Sequence, residues 1–484
     1  MPELLSRNDM TKEQKELSNR GFSFDEKGKI VGFNGTFFAM YIRDNYYIKY
    51  SNDGNFYEYD SGVWKVFLLN ELKAFLYEVL QEPRMGVWST GREKEYIESM
   101  KRLLIETKEF NSCKHLINMK NGMYDTIRNK LIPHDPKYLS TIQLSIQYDE
   151  KARCPRFDQF LDEVFERDEE RKTKAIEWYG YCLSNSVELH KALILYGGGR
   201  NGKGIYTDIL TMIIGKENLS HVALSELGKS FSRATLYGKA VNITTETEIG
   251  GKSLNTQYFK AITGVDSITA EFKNQPVFSF VPSVKMVISM NNLPSTKDRS
   301  TGFFDRLDFL HFSRYFTKDE RDSKLLEKLE AELPGIFNLA TKGLGRLKKN
   351  GFKMAPCKSS DALLGKYKEE LNPIIRFFDD YVEVAENDYR QCNKAVYNAF
   401  KNWANDNGHK GFANISTNKF WTMFEAEAEE RGIETEGKHS DRFRYHLGIR
   451  LIEDHPNTKY KKIKRKVKTK PLTDKIDEIF EDDE

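Results

Sequence analysis

The sequence predicts an α/β core with a largely parallel sheet, a mixed α+β region before it, and a small helical unit with a short β segment after it. Three observations predict this. Between residues 192 and 316, the apolar runs Ala192–Tyr196, Ala240–Ile243, Val284–Met290 and Leu307–Phe312 alternate with helical segments. That is the pattern of buried strands crossed over by helices. A glycine-rich G-x-x-x-x-G-K segment joins the first of these runs to a helical pattern. After Pro373, helices with apolar faces lead into a strand of alternating basic and aromatic residues.

Taken in order, 484 residues give a prior of about three domains. Residues 1–20 are polar and charged and read as a disordered N-terminus. Residues 21–150 read as an α+β domain. There, Tyr46–Tyr50 and Phe56–Tyr59 flank Asn52-Asp53-Gly54, a hairpin signal, and helical patterns follow at 70–82 and 92–109. Residues 151–190 read as a helical linker or collar with amphipathic helices at 157–165 and 171–184, the first opened by Cys154-Pro155. The core spans 191–345, the C-terminal unit 370–455, and a charged tail 456–484. No period of about 20–50 residues recurs, which excludes a solenoid.

Lys+Arg 75 against Asp+Glu 72 gives a net charge of +3, but the charge is uneven. Residues 457–470 hold eight bases and no acid, whereas 474–484 hold seven acids and one Lys. Basic blocks of this kind bind polyanions. No apolar run reaches the ~18 residues of a membrane span, and the mixed-charge N-terminus lacks a signal segment. Five cysteines, Cys113, Cys154, Cys182, Cys357 and Cys392, are odd in number and widely spaced. They suggest neither a disulfide framework nor a metal site. The expectation is a cytoplasmic protein with no membrane partner.

The segment Gly197-Gly198-Gly199-Arg200-Asn201-Gly202-Lys203-Gly204 follows the run Ala192–Tyr196 and opens the helical pattern Lys203–Ile214. In that strand–loop–helix setting, glycines let successive backbone N–H groups converge on one anion, and the helix N-terminus adds its positive dipole end. Lys203 would reach the β and γ phosphates of a nucleotide such as ATP. Gly204 stands where a Ser or Thr hydroxyl ordinarily helps hold Mg²⁺. Thr207, one turn later, or water is the substitute.

Such a loop needs acids to hold Mg²⁺ and polarise water, and a polar group near the γ phosphate. The run Ala240–Ile243 ends in Thr244-Thr245-Glu246-Thr247-Glu248. Carboxylates at that end of a strand sit beside the phosphate loop. Glu246 is the better candidate for catalysis and metal binding, and Glu248 the second. The run Val284–Met290 ends in Asn291-Asn292-Leu293-Pro294, so an amide there can meet the γ phosphate or the attacking water.

These segments come in order with Thr263-Gly264-Val265-Asp266, Ala270-Glu271-Phe272-Lys273 and Gly302-Phe303-Phe304-Asp305-Arg306-Leu307. Together they resemble superfamily 3 helicases, in particular the phage, plasmid and poxvirus primase-helicase branch. Asn121-Gly122-Met123-Tyr124 through Cys154-Pro155-x-Phe157 is similar to that branch's N-terminal region. The likeness covers about residues 110–330 well and the flanks loosely, and extends less specifically to replication-initiator helicases of bacterial genomic islands.

The resemblance implies an AAA+-type P-loop ATPase core. Glu246 would be the acid of the second nucleotide motif, with Thr245 where an Asp commonly precedes it. Asn291 would be the sensor, and Lys273 a hairpin lysine touching DNA phosphates in a central channel. Arg306, with Arg299 as the alternative, would complete a neighbour's ATP site. The implied assembly is a ring, a hexamer, moving 3′-to-5′ on single-stranded DNA with ATP and Mg²⁺, in the bacterial host of a phage or mobile element. Duplex origin DNA and a primase or other replication proteins are the further partners.

In the C-terminal unit, Val396, Ala399, Phe400 and Trp403 form one apolar helical face. A second helix begins near Ser416. Arg442, Arg444 and His446 share one face of a following strand. This order suggests a winged helix with a basic wing. DNA contact is expected through Arg442 and Arg444 and through the tail lysines and arginine Lys461, Lys462, Lys464, Arg465 and Lys466. Two other readings stand beside the helicase: a small-molecule P-loop kinase, prompted by Gly-Lys-Gly, and a non-catalytic origin-binding scaffold.

Overall fold

The computed structural model describes residues 4–246, 256–273, 276–294, 296, 298–386, 389–439 and 444–452. It divides into two units, residues 1–367 and 368–484.

The first unit opens with a helix, Lys12–Asn19, where disorder was expected. Thr11 and Gln14 close a capping box at its N-terminus, and Leu17 is fully buried. One cap and one apolar anchor suffice to hold an otherwise polar helix. The hairpin at Asp53-Gly54 forms from Ile48–Ser51 and Phe56–Asp60, and is widened by Val63–Phe67 and a short parallel strand, Ile105–Glu106. Helices Leu69–Gln81 and Thr90–Leu103 close an apolar core running from Leu17 to Leu104. The second helix stops six residues short of the expected 109.

A second core begins near residue 116. A three-stranded antiparallel sheet, Leu116–Met119, Gly122–Asp125 and Lys130–Ile132, contributes Ile117, Met119 and Tyr124 to the same apolar cluster as the α/β core. The expected boundary at 150 is therefore not a break in packing. Nor do helices Pro155–Val164 and Glu169–Leu183 behave as a linker. Phe157, Phe160, Leu161, Trp178 and Tyr179 are buried in that cluster, together with Ile336, Phe337 and Leu344 from helix Leu333–Lys349.

The central sheet has five strands, all parallel. Numbered by chain order they are Ala192–Tyr196, Leu219–Ser220, Val241–Glu246, Lys285–Met290 and Leu307–His311, and they lie in the order 2-3-4-1-5. Tyr196 pairs with both Met290 and His311, and Glu246 pairs with Met290. The C-terminal ends of four strands are thereby level, which gathers the loops that leave them. Beneath strand five, Asp308 accepts from Lys174 Nζ and Trp178 Nε1, both at 2.6 Å, with the ion pair buried. A separate antiparallel hairpin, Ile268–Ala270 with Phe278–Phe280, falls between strands three and four in the chain order and packs its phenylalanines on Tyr237.

The second unit runs helix Ile374–Tyr381, helix Asn393–Asp406, short helix Lys410–Ala413 and helix Thr417–Glu430. A three-stranded antiparallel sheet carries Arg444–Leu447 between Arg390–Cys392 and Glu436–His439. Val382–Val384 pairs with Ile449–Leu451. The expected apolar stripe Val396, Ala399, Phe400 and Trp403 is buried. The expected basic strand face is not uniform. Arg444 is exposed, but His446 is 2% exposed and stacks on Trp421 with ring centroids 3.9 Å apart. Its two ring nitrogens meet Asn393 Oδ1 at 2.7 Å and Glu425 Oε1 at 2.8 Å. Among the described residues, no helix is long and apolar enough to cross a membrane.

Candidate functional site

The glycine loop leaves strand one at Tyr196 and enters helix Lys203–Ile214 through Gly202, whose φ of +90° is in the left-handed region. Packing requires two of its glycines. A Cβ at Gly197 would lie 2.3 Å from Phe312 O, and one at Gly202 would lie 2.7 Å from Val164 Cγ2. At Gly198, Gly199 and Gly204 a Cβ would meet nothing within 4 Å. Those three leave the backbone open to close approach from outside, as a phosphate cradle requires. The loop is pinned from below. Asn201 is buried and donates Nδ2 to Phe312 O at 3.1 Å, and Phe316 N–H donates to Arg200 O at 2.9 Å. Arg200, at φ +61°, donates Nη1 to the Tyr315 hydroxyl at 3.0 Å.

Lys203 is 7% exposed. Its ammonium donates to Gly197 O, to Gly198 O at 2.9 Å and to Asn291 Oδ1 at 3.0 Å. All three partners are neutral, and burial lowers the lysine's pKa to about 8. A desolvated cation that meets only neutral oxygens is a strong attractor for an anion. Asn291 belongs to this site because strand four lies beside strand one, with Met290 paired to Tyr196.

Glu246 ends strand three, paired with Met290, so its backbone lies one register step from Asn291. Its side chain, and all of Glu248, lie outside the described residues. Thr207, expected as the substitute for the missing hydroxyl, uses its proton inside its own helix. Its Oγ donates back into its own helix, to Gly204 O at 2.9 Å and Lys203 O at 3.3 Å. A side chain one full turn beyond the loop satisfies its nearest carbonyls first. Among the described residues, no group of three or more His, Cys, Asp or Glu could hold a metal ion.

Arg306 lies at the opposite end of the sheet. Ala192 N–H donates to its carbonyl at 2.7 Å, whereas the glycine loop begins after Tyr196. Four residue steps of strand, at ~3.3 Å each, put roughly 13 Å between them. Its guanidinium donates Nε to Lys260 O at 3.2 Å and Nη1 to Gly302 O at 2.5 Å. Arg299 is partly buried, which lowers its pKa. Lys273 is exposed in the segment joining the two hairpin strands, next to Phe272, whose ring stacks on Phe278 at 5.1 Å. Arg444 is exposed in the second unit. Arg442, Lys461, Lys462, Lys464, Arg465 and Lys466 lie outside the described residues.

Two features went unread in the sequence. One is the segment 312–316, which braces the glycine loop through backbone atoms that no motif encodes. The other is Asp298, which accepts from Lys260 Nζ at 2.7 Å, Ser300 Oγ at 2.6 Å and Ser300 N–H at 3.0 Å, and also from Thr256 Oγ.

The geometry defines a mixed α/β protein with a parallel sheet and an anion-attracting loop at its C-terminal edge. Comparison with known proteins carries this further. A family described as "D5 N terminal like" matches residues 36–166, and a "Family of unknown function" matches residues 195–306. A protein of Acanthamoeba polyphaga mimivirus named "Putative helicase L207/L206" is 23% identical over 321 residues, covering 60% of this chain and 33% of the viral one. "Putative helicase 184R" of Invertebrate iridescent virus 6 is 24% identical over 369 residues, covering 64% and 36%. The chain thus spans about a third of the length of the curated relatives it matches. A solved structure titled as the A form apo structure of the NrS-1 C-terminal region aligns at a TM-score of 0.50 and 12% identity, covering 85% of this chain and 98% of that one. At that identity the likeness is one of fold. By these matches the chain resembles superfamily 3 primase-helicases.

Proposed function

We propose that the protein is an ATP-dependent DNA helicase that acts as a ring of copies, a hexamer, and moves 3′-to-5′ on single-stranded DNA to replicate a phage or mobile element. One observation carries the reading. Lys203 and Asn291 meet at 3.0 Å where two adjacent parallel strands end, with the end of Glu246's strand in register beside them. The all-parallel sheet and the glycine loop support an AAA+-type P-loop core.

In this reading the open face of Gly198, Gly199 and Gly204 admits the phosphates, and Lys203 exchanges carbonyl partners for β and γ oxygens. Asn291 then orients the γ phosphate or the attacking water, and Glu246 polarises that water. Mg²⁺, when bound, would be held by Glu246 at the strand end and would supply positive charge against the charge that develops on the phosphates. Glu246 fits it by its place at the strand end, and Thr207, whose hydroxyl proton is donated within its helix, keeps oxygen lone pairs for it and is the second candidate. Arg306 is too far along the strand for its own loop and serves a neighbour's, which is why the reading needs a ring. Lys273 meets DNA phosphates without reading bases.

In the second unit, the three-stranded sheet takes one strand, Arg390–Cys392, from between the first helix and the next three, and two, Glu436–His439 and Arg444–Leu447, from after them, the later of the two in the middle; this order supports a winged helix. Arg444, Arg442 and the basic tail would meet duplex origin DNA. The viral helicase relatives and the Lys273 hairpin support this reading over the kinase and scaffold readings.

The test is ATP hydrolysis with and without single-stranded DNA, by the intact protein and by Lys203→Ala. Stimulation by DNA that Lys203→Ala abolishes, in a protein with an unchanged circular dichroism spectrum, is expected. Hydrolysis that survives Lys203→Ala would overturn the site.

A further inference from the structure

We propose that Asp298 is a positioning residue that ties the strand ends of a subunit's own nucleotide site to the arginine it presents to its neighbour. This rests on the shared-site reading above.

Arg306 is held by two carbonyls, and Asp298 controls the segments that carry both. The first is Lys260 O, at 3.2 Å from Arg306 Nε. The Nζ of the same Lys260 binds Asp298 Oδ2 at 2.7 Å, and Thr256, one turn earlier on the helix Thr256–Gly264, donates its hydroxyl to that oxygen. The second is Gly302 O, at 2.5 Å from Arg306 Nη1. Gly302 lies in the short helix Thr301–Phe304, whose N-cap residue, Ser300, donates both its N–H and its hydroxyl to Asp298 Oδ1. One carboxylate therefore fixes two otherwise separate pieces of chain, one with each oxygen. Burial raises its pKa, but the hydrogen bonds from Lys260, Ser300 and Thr256 outweigh this and hold it well below the usual carboxylate range.

The same junction receives both strand ends of the subunit's own site. Asp298 follows Asn291 by seven residues on the chain leaving strand four, and Thr256 follows Glu246 by ten on the chain leaving strand three. A shift of Asn291 on nucleotide turnover reaches Arg306 through this carboxylate. Charge-assisted hydrogen bonds are the stronger kind, which suits a rigid joint.

The experiment sorts variants by which half of a shared site they damage. Lys203→Ala removes the loop half and Arg306→Ala the arginine half, so mixing the two restores some interfaces in which both halves are intact. Asp298→Ala should keep nucleotide affinity within about twofold, while hydrolysis falls on the order of 10²-fold, the loss that a displaced group brings. Mixed with Lys203→Ala it should regain activity to the same degree as the control pair. Mixed with Arg306→Ala it should regain none. Asp298→Asn keeps the side chain's shape and the Ser300 hydrogen bonds but loses the charge facing Lys260. It should sort in the same class, and it decides the matter if the alanine variant does not fold. Recovery of Asp298→Ala with Arg306→Ala, or loss of its nucleotide affinity, would overturn the assignment while leaving the shared site standing. Failure of the control pair to recover would overturn both.

Discussion

Lys203 makes a quantitative prediction about pH. Burial lowers its pKa to about 8. In the free protein the amine is then about nine-tenths charged at pH 7 and roughly one-tenth charged at pH 9. Phosphate oxygens bind the charged form and restore its proton. Affinity for nucleotide should therefore weaken about tenfold between pH 7 and 9, and about half a proton should be taken up per nucleotide bound at pH 8. The sign for stability is opposite. A lysine whose folded pKa lies below the unfolded value of 10.5 leaves the unfolded chain binding more protons between about 8 and 10.5. This residue's contribution to stability rises across that window, so its deprotonation does not itself destabilise the fold. His311, on the neighbouring strand end, has its pKa lowered by burial and stays neutral from pH 7 to 9. Calorimetric titration of nucleotide in two buffers of different ionisation enthalpy, at fixed Mg²⁺, reads affinity and proton uptake together. Lys203→Arg remains charged throughout and should show no slope. A level affinity in the intact protein, or an equal slope in the arginine variant, would refute the reasoning.

Three further outcomes are expected. Glu246→Gln should bind ATP and hydrolyse it about 10²–10⁴-fold more slowly, the usual loss on removing a general base; a larger effect of Glu248→Gln in steady-state turnover would reverse the choice between the two acids. Asp308→Ala leaves Lys174 buried without its carboxylate and should lower stability by about 3–5 kcal/mol, read as a drop in the urea midpoint at unchanged slope. Removing residues 457–484 should weaken DNA binding and flatten its log–log salt slope by about 0.9 for each DNA phosphate that the tail neutralises. An unchanged slope on duplex DNA would sink the role given to the tail.

The sequence showed most clearly the elements that bury one continuous apolar run. Ala192–Tyr196 and helix Lys203–Ile214 fall where their patterns put them, and three other core strands lie within two or three residues. Strand two, Leu219–Ser220, is two residues long and leaves no run to read. Val63-Trp64-Lys65-Val66-Phe67 gives no strand signal because it does not alternate, with Val63 and Trp64 both buried. Packing between distant segments is invisible to periodicity. Tyr124 packs its ring on Phe337 at 5.2 Å, which joins the region before residue 150 to the core. Strand alternation correctly put His446 on the face of Arg444, but could not show that Trp421 covers it. The glycine loop was legible as a motif and its Asn291 partner as a strand end. Asp298 was not, since its anchors Thr256 and Lys260 lie about 40 residues away in sequence and carry no spacing signature.

Strand displacement tests the central claim most directly. With ATP and Mg²⁺, the protein is offered two partial duplexes that differ only in whether the loading strand has a free 3′ or a free 5′ single-stranded tail. The account predicts displacement of the partner strand from the 3′-tailed substrate, none from the 5′-tailed one, and loss of the activity in Lys203→Ala. ATP hydrolysis without displacement from either substrate, or displacement that Lys203→Ala leaves intact, would contradict it.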